Sequence, residues 1–507
     1  MRATALIAGL LIVGALTFAP HAQAPSGGST TLTIDALAHR VMQAEAALTA
    51  RMKAFQPIVE VYVQHVESRE TLGSVPVSDE YFLGQFDWTG REGPKMTPLV
   101  PEKKSGRMTD WFSRPGLQLN FDGFAAMTVP DWRLLNDQQH AFDFLRREFL
   151  GEVRCLVFDV APRVDSGNGF TGRIWVEDRD FNIVRFNGIT RSTGSSKAVW
   201  FSVDSWRANV KPGLWLPSYV YSELQSDEGP RIKSHVRLWG YYLKAYRSTQ
   251  EAESMLERLS KAGLLAPPGD VDKVLSTVLT NLQITNNLNI PLSTRVLLTS
   301  PLESFTVGRT IVLSRGLIDV LPDEASLATM LAHELAHIVL GHRGTDPKFA
   351  SAETFTVADA ELLAAVVPRY TLKEEGAADE LMVQLLKNSP YKDKLTDAGL
   401  FLRAVSENAK RLTNLIQPHI GEYTSNQGQM RLTELIQRSP ALSPERLDQV
   451  AALPMGARVV VDPWTGRVEL VSTATVPLAS AREKASMSVT PLVPYLRYVD
   501  APADVKQ

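Results

Sequence analysis

The stretch that decides the fold is His333-Glu334-Leu335-Ala336-His337, an HExxH pattern inside the apolar run from Leu327 to Leu340. Asp323 before the run and Gly341 after it are start and stop signals that predict one buried helix. Histidines four residues apart lie on the same helix face, so both imidazoles can bind one zinc ion while the glutamate reaches a water molecule beside it. A pair of core histidines satisfied by hydrogen bonds is the alternative, but buried histidine and glutamate are costly unless they are paired or bound to a metal.

A catalytic zinc site usually takes three protein ligands, so a third ligand is required. The metzincin pattern HExxHxxGxxH fails at both of its later positions. Thr371 and Glu374 form a capping box that predicts a second helix and leaves the adjacent Glu375 available as a ligand. Asp379 lies one turn later on the same face, where it can accept a hydrogen bond from a ligand imidazole, and the small residues 376–378 are expected to let the two helices approach closely. The alternative for Glu375 is a solvated glutamate in the first turn of the helix.

These residues together closely resemble the M48 family of zinc metallopeptidases. The family pattern is HExxH, often with a histidine at the position of His342, followed by ExxxD, and the resemblance covers about residues 265–435. It implies that His333, His337 and Glu375 hold one Zn²⁺ per chain and that Asp379 orients a ligand. It also implies that Glu334 is the general base of peptide hydrolysis. His342 matches the family position but is expected to be a structural histidine at the helix end.

The chain departs from the family pattern after the predicted site. Many members carry a His-Pro pair six residues before an arginine, and both contact the substrate or the oxyanion. Arg431 fits that arginine, but Ser425-Asn426 stands in the place of His-Pro. Arg431 is therefore a candidate catalytic residue, with an ordinary surface arginine as the alternative. We also expect the strand 310–314 to be an edge strand that binds an extended substrate by β-augmentation.

The sequence predicts a multidomain α+β protein. Eight of the nine tryptophans precede residue 240, which indicates a separate, mainly antiparallel β domain at 56–247. One predicted hairpin of that domain, at 172–186, weakly resembles the sheet of periplasmic lipoprotein-carrier proteins, and a generic β domain is the alternative. A mainly helical, zincin-like metallopeptidase domain is predicted at 248–440, and a C-terminal segment with a β-hairpin at 441–507.

The first 24 residues are typical of an export signal, with Arg2, an apolar run and an Ala-Gln-Ala cleavage site at 22–24. Pro25 disfavours cleavage at that point, so the segment is either cut nearby or kept as an anchor. A leader and a helix are expected at 25–55. No later stretch reaches the roughly 18 apolar residues of a membrane span, which favours the soluble exported branch of the family, in the periplasm or outside the cell.

The composition excludes several function classes. A formal net charge of -3 without a long basic run disfavours nucleic acid as a partner. The single cysteine, Cys155, excludes an internal disulfide framework and a multi-cysteine metal site, and we expect it to be a small buried side chain. Protein or peptide substrates are the expected partners. The alternative is an exported binding or chaperone-like protein that uses its β domain and has a latent or vestigial zinc site.

Overall fold

The computed structural model describes most of the chain between residues 33 and 416 and short pieces beyond it. The described residues are 33–69, 73–88, 95–99, 138–164, 169–192, 199–226, 229–241, 255–321, 323–342, 363, 367–368, 370–416, 425–426, 429–430, 435, 437, 439, 459–461 and 468–470. The predicted export signal, its leader up to residue 32 and Arg431 lie outside them.

A ten-stranded antiparallel sheet forms the N-terminal part of the protein. Its strands lie in the order β3-β2-β1-β10-β9-β8-β7-β6-β5-β4. Neighbouring strands are therefore consecutive in the chain except β1 and β10, and β3 and β4 form the two edges. The strands are β1 Ile58–Arg69, β2 Gly73–Asp87, β3 Lys95–Pro98, β4 His140–Leu150, β5 Val153–Pro162, β6 Gly169–Glu177, β7 Ile183–Ser192, β8 Val199–Lys211, β9 Leu214–Ser226 and β10 Gly229–Trp239. The hairpin predicted at 172–186 corresponds to β6 and β7, which pair antiparallel.

Strand β1 is buried on both faces of the sheet. Its side chains alternate between the two faces, so successive residues enter different cores. Val59, Val61 and Val63 face a core that includes helix α1, Ile34–Met52. That helix is capped by Thr33, whose side chain accepts a hydrogen bond from the Ala36 backbone. On the opposite face, Ile58 and Tyr62 join the core of the helical region. The sheet therefore has a separate core on each face, and the core on the second face is shared with the helical region.

The rest of the described chain is mainly helical and contains a small mixed sheet. The helices are α2 Met255–Lys261, α3 Asp270–Thr285, α4 Arg315–Val320, α5 Glu324–Leu340, α6 Leu372–Lys387 and α7 Leu395–Asn408. The sheet consists of β11 Ser293–Leu297, β12 Ser304–Val307 and β13 Thr310–Ser314 in the order β11-β13-β12. Together with the large antiparallel sheet, these elements make the protein a mixed α+β fold.

The small sheet corrects one prediction made from the sequence. Strand β13 is not an edge strand, because it pairs parallel with β11 on one side and antiparallel with β12 on the other. Its five residues are all buried, which explains why the pattern at 310–314 is continuously apolar or small. Within the described residues β12 is the outer strand of this sheet beside α5. Near the C-terminus, β14 Ser425–Asn426 pairs with β15 Gln429–Met430, and the hairpin expected there is formed by β16 Val459–Val461 and β17 Val468–Leu470.

Candidate metal centre

Helix α5 carries the HExxH residues through the core of the helical region. Asp323 caps its N-terminus by accepting a hydrogen bond from the Ser326 backbone N–H at 2.7 Å. Every residue from Ala325 to His337 is buried, so this part of the helix is enclosed on all sides. Gly341 ends the helix in the left-handed conformation, with a φ of 71°, which glycine adopts without a Cβ penalty. The local sequence thus sets where the helix begins and where it ends.

Helix α6 brings the downstream glutamate to the same place. Its capping box has the predicted form, with the side chains of Thr371 and Glu374 each accepting from the other residue's backbone N–H. Glu375 is then buried at 2% exposure and faces α5. Ala378 is completely buried between the helices, but Gly376 is not needed for their approach, because a Cβ there would meet nothing within 4 Å. The expectation that Gly376 keeps the helix thin is therefore wrong.

Three ligand atoms converge between the two helices. The Nε2 atoms of His333 and His337 lie 3.0 Å apart, and Glu375 Oε2 lies 3.3 Å from the first and 3.5 Å from the second. Zinc with tetrahedral bonds of about 2.0–2.1 Å separates its ligand atoms by roughly 3.3–3.4 Å. The donor set and its spacing therefore fit a zinc ion, and these three residues form a group that could hold a metal.

Each imidazole has a second partner on its other nitrogen. His333 Nδ1 lies 3.1 Å from Asp379 Oδ1, and His337 Nδ1 lies 3.0 Å from His342 Nδ1. A hydrogen atom on Nδ1 leaves the Nε2 lone pair directed at the ligand triangle, and such partners fix both the tautomer and the ring orientation. His342 therefore contacts the candidate site itself, beyond its place at the end of the helix.

Burial and neighbouring charges shift the pKa of His333 in opposite directions. Burial disfavours the imidazolium of His333, but the hydrogen bonds and charges of Asp379 and Glu375 outweigh it and raise the pKa of His333 from 6.5 to about 9. Burial is the largest influence on His337 and lowers its pKa, and the charge of His333 acts in the same direction. At neutral pH the His333 ring of the metal-free protein is therefore protonated on both nitrogens, and a metal ion must displace the proton on Nε2.

Two further contacts at the site come from side chains that the sequence analysis did not single out. The completely buried Glu334 accepts a hydrogen bond from Ser304 Oγ at 2.8 Å. The ring of Tyr370 stacks on the ring of His337, with centroids 3.7 Å apart and an interplanar angle of 20°. Burial raises the pKa of Tyr370 and the charge of Glu334 adds to this shift, so the phenol stays neutral. The available sequence signal was the position of Tyr370 immediately before the cap of α6.

The comparison with protein families agrees with the motifs. Residues 270–419 match the family model described as Peptidase family M48. This region belongs to peptidase family M48. The match contains both helices of the candidate metal centre and the small sheet. No curated protein matches the sequence.

Solved structures resemble about two fifths of this chain. They include a candidate outer membrane lipoprotein-sorting protein domain from Vibrio parahaemolyticus, at 9% identity and a TM-score of 0.23, covering 40% of this chain and 91% of that one. A LolA superfamily protein from Nitrosomonas europaea is 13% identical with a TM-score of 0.19, and the match covers 40% of this chain and 91% of that one. A DUF1329 family protein from Desulfovibrio piger is 7% identical with a TM-score of 0.21, and the match covers 40% of this chain and 90% of that one. These scores are low.

The structure also bears on the predictions about Cys155 and about membrane-spanning segments. Cys155 is completely buried, as the sequence predicted, and burial raises the pKa of its thiol to about 12. Among the helices of the described residues, none is long and apolar enough to cross a membrane.

Proposed function

We propose that the protein is a zinc-dependent endopeptidase of the M48 family. The observation that carries the proposal is the convergence of His333 Nε2, His337 Nε2 and Glu375 Oε2 at the spacing of a tetrahedral site. The family match of residues 270–419 supports hydrolysis of a peptide bond as the chemistry. In this proposal these three residues are the zinc ligands, while Asp379 and His342 set the orientation of the two imidazoles.

The role proposed for Glu334 follows from its position between the two histidines. A bound zinc ion supplies a Lewis acid that polarises the scissile carbonyl and lowers the pKa of water toward about 7. Glu334 accepts a proton from the attacking water and then delivers it to the nitrogen of the leaving amine. The complete burial of Glu334 keeps bulk water away from this proton transfer. Arg431 remains a proposal for stabilising the oxyanion, on sequence grounds.

The substrate is proposed to bind as an extended peptide beside β12 rather than beside β13. Strand β12 is one of the two outer strands of the small sheet in the described residues and packs against α5, which carries Glu334. A peptide aligned with such a strand gains main-chain hydrogen bonds that are largely independent of its sequence. This mode suits unfolded stretches of exported or misfolded proteins. Export to the periplasm or beyond is proposed from the signal-like first 24 residues.

The decisive variant is Glu334→Gln, which removes the proposed proton acceptor and keeps the size of the side chain. General-base catalysis contributes about 10²–10⁴-fold, so casein digestion by the zinc-loaded variant should fall by at least about a hundredfold. Zinc content should stay at one ion per chain, and a chelator should abolish the wild-type activity. Glu380→Gln makes the same chemical change at an exposed position of α6 and should leave the activity unchanged.

The same variant tests the alternative of an exported binding or chaperone-like protein. Full function of Glu334→Gln in cells that depend on the wild-type protein would support binding and overturn the peptidase proposal. Loss of that function with zinc retained would support hydrolysis.

A further inference from the structure

Strand β12 presents two hydroxyl groups to the candidate metal centre. Ser304 and Thr306 are two residues apart, so their side chains lie on the same face of the strand, while Phe305 between them is buried in the core. Ser304 Oγ donates to Glu334 Oε1 at 2.8 Å. Thr306 Oγ1 lies 2.9 Å from the hydroxyl oxygen of Tyr370. One strand therefore contacts two separate parts of the site through alternate residues.

The first contact restricts the proposed general base. Glu334 lies on α5 and Ser304 on β12, and both side chains are completely buried. A glutamate side chain has three rotatable bonds, and a hydrogen bond to one carboxylate oxygen limits its rotation. Hydrogen bonds to charged groups are stronger than those between neutral groups. Ser304 thus holds one carboxylate oxygen and fixes the direction of the other.

The second contact restricts one of the proposed metal ligands. Tyr370 covers a face of the His337 ring, and its hydroxyl is joined to Thr306. His342 approaches the Nδ1 edge of the same ring. The ring of His337 is therefore held on one face and at one edge, which limits the rotation that would turn its Nε2 atom away from the ligand triangle.

We infer that β12 is a positioning strand, in which Ser304 orients the general base Glu334 and Thr306, through Tyr370, orients the ligand His337. The inference rests on the proposed function, because it assigns roles to residues around the proposed zinc site. The two hydroxyls act on different quantities. Ser304 sets the rate of the chemical step, whereas Thr306 and Tyr370 set the affinity for the metal.

The Ser304 arm is tested by the kinetics of zinc-loaded Ser304→Ala. Removing a hydrogen bond to a charged group should lower kcat by about ten- to a hundredfold. KM should stay within about twofold and the zinc Kd should be unchanged, which a merely structural role would not produce. Ser293→Ala is the matched control, because it removes a hydroxyl that lies 2.8 Å from the Thr310 hydroxyl in the same small sheet, between β11 and β13. Unchanged kcat in Ser304→Ala would overturn this arm.

The Tyr370 arm is tested without any activity measurement. Metal-free protein is titrated with zinc against a chromophoric chelator. Tyr370→Leu should raise the zinc Kd by about ten- to a hundredfold, the usual effect of removing a residue that supports a metal ligand. Tyr370→Phe and Thr306→Val, which remove only the hydroxyl contact, should raise it by about two- to tenfold. Thr310→Val is the matched control and should leave the zinc Kd unchanged.

The two arms separate failure of the inference from failure of the proposed function. If the wild-type protein binds zinc but digests no casein, the proposed function fails, and the zinc titration still decides the role of Tyr370. If the wild-type protein is active and Tyr370→Leu binds zinc as tightly as it does, the Tyr370 arm is wrong. If Ser304→Ala weakens zinc binding as much as Tyr370→Leu does, the assignment of separate roles is wrong.

Discussion

The replacement of Glu60 by Gln tests how the large sheet is attached to the peptidase region. Glu60 is completely buried on β1, and its carboxylate accepts hydrogen bonds from the Ser300 backbone N–H at 2.5 Å and from the Ser300 hydroxyl at 2.8 Å. It also pairs with the buried Arg315 and lies 3.9 Å from Arg237. Ser300 precedes β12 by four residues, so this carboxylate connects the sheet to the segment that leads into the candidate site.

The expected cost of Glu60→Gln follows from the charges that it would leave buried. Burial lowers the pKa of Arg315 to about 10, with the charge of Arg237 acting in the same direction and that of Glu60 opposing it, so Arg315 stays charged at neutral pH. Removing one partner of a buried ion pair costs about 3–5 kcal/mol. For a domain of 150–250 residues each kcal/mol corresponds to about 2–4 °C, so we expect Tm to fall by roughly 6–20 °C.

Differential scanning calorimetry measures this shift. Asp159→Asn is the control, because it breaks the Arg173–Asp159 pair in the same sheet, where both side chains are more than a third exposed. Exposed pairs contribute at most about 1 kcal/mol, so the control should change Tm by less than about 4 °C. A Tm of Glu60→Gln equal to that of the control would refute the reasoning that this carboxylate compensates the buried guanidinium groups.

Two further predictions concern protonation and packing. Because the pKa of His333 is raised above its unfolded value of 6.5 to about 9, its contribution to the stability of the metal-free protein is present below pH 6.5 and lost as the pH rises through about 9. Zinc binding at about pH 7.5 should therefore release about one proton from His333, measurable by calorimetry in buffers of different ionisation enthalpy, and release of none would contradict the assignment. Gly316→Ala should destabilise the protein by about 3 kcal/mol in chemical denaturation, because the new Cβ would lie 1.7 Å from the Ser300 carbonyl oxygen. Gly376→Ala, whose Cβ meets nothing within 4 Å, should instead stabilise helix α6 by about 0.5–1 kcal/mol, and an equal loss in both variants would count against the packing argument.

The features that could be predicted from the sequence are those encoded over a few neighbouring residues. The helix around His333 and His337 follows from a cap, an apolar run and a terminal glycine. The capping box at Thr371 separates Glu374 from Glu375 because it depends on a spacing of three residues. The strands of β6 and β7 follow from alternation of their side chains on either side of a short turn.

The features that could not be predicted depend on contacts between distant residues. Strand order is one of them: the pattern at 310–314 indicates a buried strand but not which neighbours flank it, and the pairing of β13 on both sides made the edge-strand prediction wrong. The contact of Ser304 with Glu334 spans 30 residues, and that of Thr306 with Tyr370 spans 64. No local pattern distinguishes these two hydroxyls from others on exposed or core strands.

The position of a bound zinc ion decides whether His333, His337 and Glu375 form the metal site. Crystals of the zinc-loaded protein, measured on both sides of the zinc absorption edge, locate zinc by its anomalous signal. We expect one peak per chain within about 2.0–2.2 Å of His333 Nε2, His337 Nε2 and a Glu375 carboxylate oxygen. A zinc ion bound elsewhere, or a Glu375 side chain directed away from both imidazoles in the loaded protein, would contradict it.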